Sequence, residues 1–111
     1  MQMHRKYRNK KIDTAEGRFD SEKEYSRWVD LKWMQRAGQI TDLQRQVTFE
    51  LLPSQRIDGK VVERPVKYIA DFVYMQNGEK VVEDVKGLKL PEYVLKRKLM
   101  LYIHNLRIKE I

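Results

Sequence analysis

The sequence predicts an α/β fold, ordered α-β-β-β-α-β, with a mixed sheet and a helix on each side. Three observations predict it. A Ser21-x-x-Glu24 box opens a helical stretch that stops at Gly38. An Asn77-Gly78 dipeptide separates two strand-like apolar runs. Pro91 opens a second helical stretch, and an alternating segment follows it. At 111 residues the chain suits one domain.

In order, residues 1 to 12 hold Arg5, Lys6, Arg8, Lys10 and Lys11 without an acid. They have no apolar period and read as a mobile basic arm before a single domain over 13–111. Ser21 is the N-cap of the first helix and Glu24 its N3 residue, the reciprocal capping pair. Phe19 and Tyr25 are spaced as a hydrophobic staple. Glu24, Trp28, Leu31 and Gln35 share one face, so Glu24 lies along an apolar stripe. Ile40 to Leu52 reads as a strand that Pro53 ends. Residues 54–60 read as a polar loop, and Val61-Val62 as a short edge segment before Pro65. Val66 to Met75 and Lys80 to Lys86 are strands, the latter ended by Gly87. The second helix runs from Pro91 to about His104. Leu106 to Ile111 alternates and reads as the last strand.

Composition narrows the function. Lys plus Arg number 23 against 16 Asp plus Glu, a formal charge of +7. Such a domain favours a polyanionic partner, most often nucleic acid. With no cysteine there is no disulfide framework or thiolate zinc site. His4 and His104 are too few and too far apart for a zinc hydrolase or a His-based triad. No apolar run approaches membrane-spanning length, and the N-terminus lacks the apolar core of a signal peptide. These features predict a soluble cytoplasmic protein with no membrane partner.

Asn-Gly favours a two-residue type I′ hairpin loop. Counting back from Gln76 opposite Glu79, Phe72 faces Glu83 and Asp71 faces Asp84. Opposed side chains have Cβ atoms about 4.5–5.5 Å apart, and like charges there destabilise a sheet. At an effective dielectric near 20 the repulsion is roughly 3 kcal/mol. Either one carboxyl is protonated or a cation sits between them. Hard divalent ions bind one or two carboxylates and keep several waters. Strand alternation places Lys86 on the face of Asp84, and Asp71 there too, flanked by Ile69 and Val73. The competing reading is a surface cluster in which Lys86 neutralises both aspartates. Glu83 points to the opposite face and reads as structural.

Glu24, Ala70-Asp71 and Asp84-Val85-Lys86 together resemble the PD-(D/E)XK nuclease superfamily. The α-β-β-β-α-β order resembles its restriction-endonuclease-like core. The segments FDSEKE, YIADFVY, VVEDVKG and VLKRKLMLY look like a small phage-type endonuclease family related to Holliday junction resolvases. The likeness covers Tyr7 to Ile111, with Ala70 in place of the proline of the name. It implies a metal-dependent DNA endonuclease, with junction or branch resolution as its specific form. It implies Mg²⁺, or Mn²⁺ as substitute, on Asp71, Asp84 and the Val85 carbonyl, with Glu24 reaching the metal directly or through water. It implies that Lys86 orients or deprotonates the attacking water. Arg5, Lys6, Arg8, Lys10 and Lys11, with Lys96 or Lys98 of the second helix, are the expected phosphate contacts, and Arg97 is expected in solvent. Arg56, Lys60 and Arg64 would widen the DNA track. Symmetric cuts in two strands favour a homodimer. The rival classes are a non-catalytic nucleic-acid-binding module and a protein-interaction accessory factor.

Overall fold

A computed structural model describes residues 10–111. Arg5, Lys6 and Arg8 of the arm lie outside the described residues. Contacts divide the chain between Gln39 and Ile40 into two units.

The first unit holds β1 (Ile12–Thr14), β2 (Gly17–Phe19) and α1 (Glu22–Arg36). The β1–β2 hairpin is new relative to the sequence reading. It starts at Ile12, the last residue of the stretch assigned to the arm. Thr14 makes the turn locally: its hydroxyl donates to the Gly17 carbonyl (2.8 Å) and accepts from Glu16 N–H (3.1 Å). Gly17 has φ +116°, a conformation that disfavours a side chain. Lys11 pairs with Asp20 at 3.1 Å instead of remaining free for phosphate. Helix α1 begins as its caps require, with Ser21 Oγ accepting from Glu24 N–H at 3.1 Å. The staple forms too, with Phe19 and Tyr25 ring centroids 5.1 Å apart. Glu24 and Leu31 are buried as the stripe predicts, but Gln35 is exposed.

The second unit is a four-stranded mixed sheet in the order β3 (Thr41–Leu52), β6 (Val66–Gln76), β7 (Glu79–Asp84), β8 (Ile108–Glu110). The first three strands are antiparallel neighbours, and β8 runs parallel to β7. Parallel pairing needs a crossover, and α2 (Pro91–His104) provides it. Pro91 occupies the first turn, where no N–H partner is required, and Asn105 closes the helix in the left-handed conformation. Tyr93 and Met100 of α2 join Leu51, Tyr68, Ala70, Val73, Val82 and Ile108 in one buried core. Truncating a core side chain such as Met100 to Ala should cost about 2–5 kcal/mol. At the far end of α2, His104 Nε2 donates to the Glu50 carbonyl at 2.8 Å.

The stretch expected as a polar loop is a second hairpin, β4 (Gln55–Ile57) and β5 (Lys60–Glu63). Asp58 and Gly59 have φ +51° and +78°, which is type I′ turn chemistry. Among the described residues, no helix is long and apolar enough to cross a membrane.

Candidate functional site

The β6–β7 hairpin closes through Asn77 and Gly78, at φ +54° and +80°. Its register runs as counted from the turn, from Gln76↔Glu79 through Met75↔Lys80, Tyr74↔Val81 and Val73↔Val82 to Phe72↔Glu83. The ladder ends there. In regular alternation Ala70 and Val85 would next exchange backbone hydrogen bonds. Instead Val85 N–H donates to Asp71 Oδ2 at 2.8 Å. Asp71 and Asp84 are therefore not ladder partners, which corrects the simple count. The strands part at this point, and a carboxylate takes the place of a main-chain acceptor.

The neighbouring ladder is disturbed at the same level. From Gln44↔Val73 to Glu50↔Lys67 the β3–β6 pairing skips only Gln46 and Asp71. Gln46 has φ +53°, and its side-chain amide lies 3.5 Å from Asp71 Oδ1. The core takes Tyr68 and Ala70 before Asp71 but Val73 after it, so side-chain alternation changes phase across this residue. The expected flanking of Asp71 by Ile69 and Val73 on one face does not hold, and Ile69 is 54% exposed.

Asp84 is held from several sides. Its backbone carbonyl accepts from Ile111 N–H at 3.0 Å, and its residue pairs with Glu110 of β8. Its carboxylate is buried. Lys86 Nζ lies 3.1 Å from Asp84 Oδ2. That contact is an ion pair out of line for a hydrogen bond, and Oδ2 remains a buried acceptor with no hydrogen bond. Burial, then the adjoining Asp84 carboxyl, raises the Asp71 pKa to about 7, against the opposing pull of Val85 N–H and Lys86. Burial foremost, and then the negative charge of Asp84, pushes the Tyr68 hydroxyl well above its ordinary range.

Lys86 in turn lies over the Tyr93 ring, 4.4 Å from its centroid. The Tyr93 hydroxyl donates to Glu110 Oε2 at 2.6 Å. Glu110 also binds Arg97 (3.2 Å) and Lys89 (2.9 Å). The Tyr93 hydroxyl, then Lys89 and Arg97, hold the Glu110 carboxylate down at about 2. Arg97 is thus an ion-pair partner and not a solvated side chain. Sequence reasoning missed Gln46, Tyr68, Tyr93 and Glu110. Alternation along β8 places Glu110 with the buried Ile108, which was the available signal. Nothing local marks the other three.

The remaining sequence-predicted residues are dispersed. Lys96 pairs with Glu92 at 3.1 Å and lines a cavity that Lys86 also lines. Lys98 lines a different cavity with Arg107. Lys10 is exposed. Glu24 is buried on α1 in the first unit. Glu83 is fully buried and accepts from the Tyr74 hydroxyl, consistent with a structural role.

Two hard oxygen donors, one with a buried oxygen that no hydrogen bond satisfies, fit a divalent cation such as Mg²⁺. Among the described residues, no group of three or more His, Cys, Asp or Glu side chains is arranged to hold a metal. The protein donors brought together at the splayed strands are therefore the two aspartates. A family model described as a protein of unknown function, DUF1064, matches residues 4–110. No curated protein and no solved structure matches the chain.

Proposed function

The chain belongs to the DUF1064 family, and for it we propose a metal-dependent endodeoxyribonuclease of the PD-(D/E)XK kind. One observation carries this reading. Where the β6–β7 ladder ends, burial and then the adjoining Asp84 carboxyl raise Asp71 to about 7, and the Lys86 ammonium lies 3.1 Å from Asp84. A binding surface for phosphates gains nothing from paired acids. A hydrolase gains a cation site. The sheet order, with a helix leading to a parallel last strand, supports the finer restriction-endonuclease-like topology.

Asp71 and Asp84 would hold Mg²⁺ or Mn²⁺, with the Val85 carbonyl as a further donor by resemblance. The bound ion supplies Lewis-acid charge for a phosphoryl oxygen and makes a water acidic enough to attack at neutral pH. The chain's own groups do the rest. Val85 N–H orients the Asp71 carboxylate, and Ile111 N–H anchors the Asp84 backbone. Lys86 carries the positive charge that orients the attacking water and offsets charge on the phosphate as it is displaced. The Tyr93 ring, itself held by Glu110, restricts where that ammonium can go. Branch or junction resolution is the specific form by analogy, and paired cuts would require a two-fold dimer.

The test is cleavage of linear, single-stranded, flap and four-way DNA with Mg²⁺, Mn²⁺ or EDTA. Metal-dependent cutting that Asp84→Asn abolishes supports the reading. Binding of all four substrates without cutting in either metal overturns it in favour of a non-catalytic nucleic-acid-binding module.

A further inference from the structure

Next to Lys86 lies a cavity of about 410 Å³. Its volume falls within the roughly 300–1,000 Å³ range of small-ligand pockets. Lys86 is common to the cavity and the carboxylate cluster, so one side chain joins the two. Lys67 of β6 and Lys96 of α2 complete a rim of three amines. Two of them are paired, Lys96 with Glu92 and Lys86 with Asp84, each at 3.1 Å. The rest of the lining is Tyr68, Tyr93 and three aliphatic side chains, and the aliphatic ones are open to solvent. Leu88 is 74% exposed, Leu90 57% and Ile69 54%. A chain that leaves such side chains in water around a cationic rim is suited to a ligand both apolar and anionic.

We propose that this cavity receives one unpaired nucleotide next to the phosphate attacked, its base against Leu88, Leu90 and Ile69 and its phosphates on Lys67 and Lys96. The inference rests on the DNA reading of the aspartate site. Its physical basis is a mismatch between the cavity and a duplex. Stacked and paired bases present sugar and phosphate outward and cannot fill an apolar recess. A base reaches it only by leaving the stack, which costs a few kcal/mol in a duplex and little in a strand that is already unpaired. The preferred substrates are therefore DNA with a free or splayed nucleotide, such as a flap, a branch or a single strand. Charge complementarity selects the nucleotide over an uncharged apolar ligand, and the shared Lys86 sets its place beside the reacting phosphate.

The experiment uses the full chain in EDTA, so that binding is read without cleavage. Fluorescence anisotropy compares a short labelled single strand, the same strand with abasic sugars, and the same strand in a blunt duplex. The intact strand should bind about tenfold more tightly than the abasic one, and more tightly than the duplex at equal salt. Leu88→Ser with Leu90→Ser should erase the preference for bases and leave abasic affinity unchanged. These side chains are exposed, and circular dichroism checks that the variant is folded. Lys67→Ala should weaken both strands alike and reduce the salt slope by about 0.7. Equal affinity for intact and abasic strands, or a serine variant that keeps the preference, overturns the proposal. The two readings fail separately. Cleavage in Mg²⁺ without base discrimination removes the subsite and keeps the nuclease, whereas base discrimination without cleavage keeps the subsite and removes the nuclease.

Discussion

Two hairpins in this protein are built on the same turn and do different things. Asn77-Gly78 and Asp58-Gly59 both adopt the type I′ conformation, with φ near +54° and +80° in one and +51° and +78° in the other. Around the first, β6 and β7 bury Phe72, Val73, Tyr74, Val82, Glu83 and Asp84. Around the second, every residue of β4 and β5 is exposed, and the register slips between Gln55 and Arg56. Turn chemistry is sufficient to reverse the chain. It does not hold a side chain within the tolerance a reaction needs, which takes packing on the residues that flank the turn. The base of the buried hairpin can carry two crowded carboxylates because core and sheet neighbours hold both strands. The exposed hairpin has no such support.

The largest expected difference between the two is in cleavage. Asp84→Asn or Lys86→Ala should lower the rate by roughly 10²–10³-fold or more while DNA binding persists. Arg56→Ala or Lys60→Ala in the exposed hairpin should change it by less than about tenfold, since a phosphate contact adds affinity and no chemistry. Single-turnover rates on the best substrate decide this. A Lys60→Ala loss as large as that of Lys86→Ala would put the exposed hairpin at the reacting phosphate.

Stability should separate them next. The Asp71 carboxyl stands at about 7 in the fold against an ordinary 3.8. Between these values the folded protein binds more protons than the unfolded one, so stability falls as pH rises from about 4 to 7. In EDTA above pH 7, Asp71→Asn should therefore be more stable than wild type, by on the order of 1–3 kcal/mol. Mg²⁺ should stabilise wild type by mass action and the asparagine variant much less. Thermal melts across pH, with and without metal, check both points. Parallel curves for the two proteins would mean that Asp71 and Asp84 do not oppose each other in solution.

A smaller contrast concerns the glycines themselves. Neither Gly78 nor Gly59 has a heavy atom within 4 Å of where a Cβ would stand. An alanine at either position therefore pays only for its left-handed backbone, about 1–2 kcal/mol. For Gly78→Ala the full cost should appear in global unfolding by urea. For Gly59→Ala less than about 0.5 kcal/mol should appear, because an exposed hairpin opens locally without unfolding the sheet. Equal losses would make β4–β5 part of the cooperative unit. The smallest effect should come from Arg56→Ala combined with Lys60→Ala, which can shrink the salt slope of DNA binding by at most about 1.8. No change at all would remove this hairpin from the DNA track.

Much of the scaffold was legible in the residues alone, for a local reason. Ser21 caps α1, Pro91 opens α2, and Asn77-Gly78 set a register that holds through Phe72↔Glu83. Each is an interaction within a few residues, so short-range chemistry decides it. The same rule applied to Asp58-Gly59 finds the second hairpin. Its flanking residues bury nothing and so show no alternation to reinforce the turn signal. The β1–β2 hairpin was hidden by its three-residue strands and by the basic run that precedes it.

The site divides along the same line. The sequence alone determined that Asp71, Asp84 and Lys86 come to the base of one hairpin, because a two-residue turn counts residues. Only the tertiary structure decided how they meet there. The strands part after Phe72↔Glu83, Val85 N–H turns to the Asp71 carboxylate, and Gln46 drops out of the neighbouring ladder beside it. Glu110 fixes Tyr93 under the Lys86 ammonium from a strand whose place was set by a crossover helix. These arrangements join residues far apart in the chain. Their energies depend on burial and on neighbouring charge, and neither exists until the sheet and α2 have packed together.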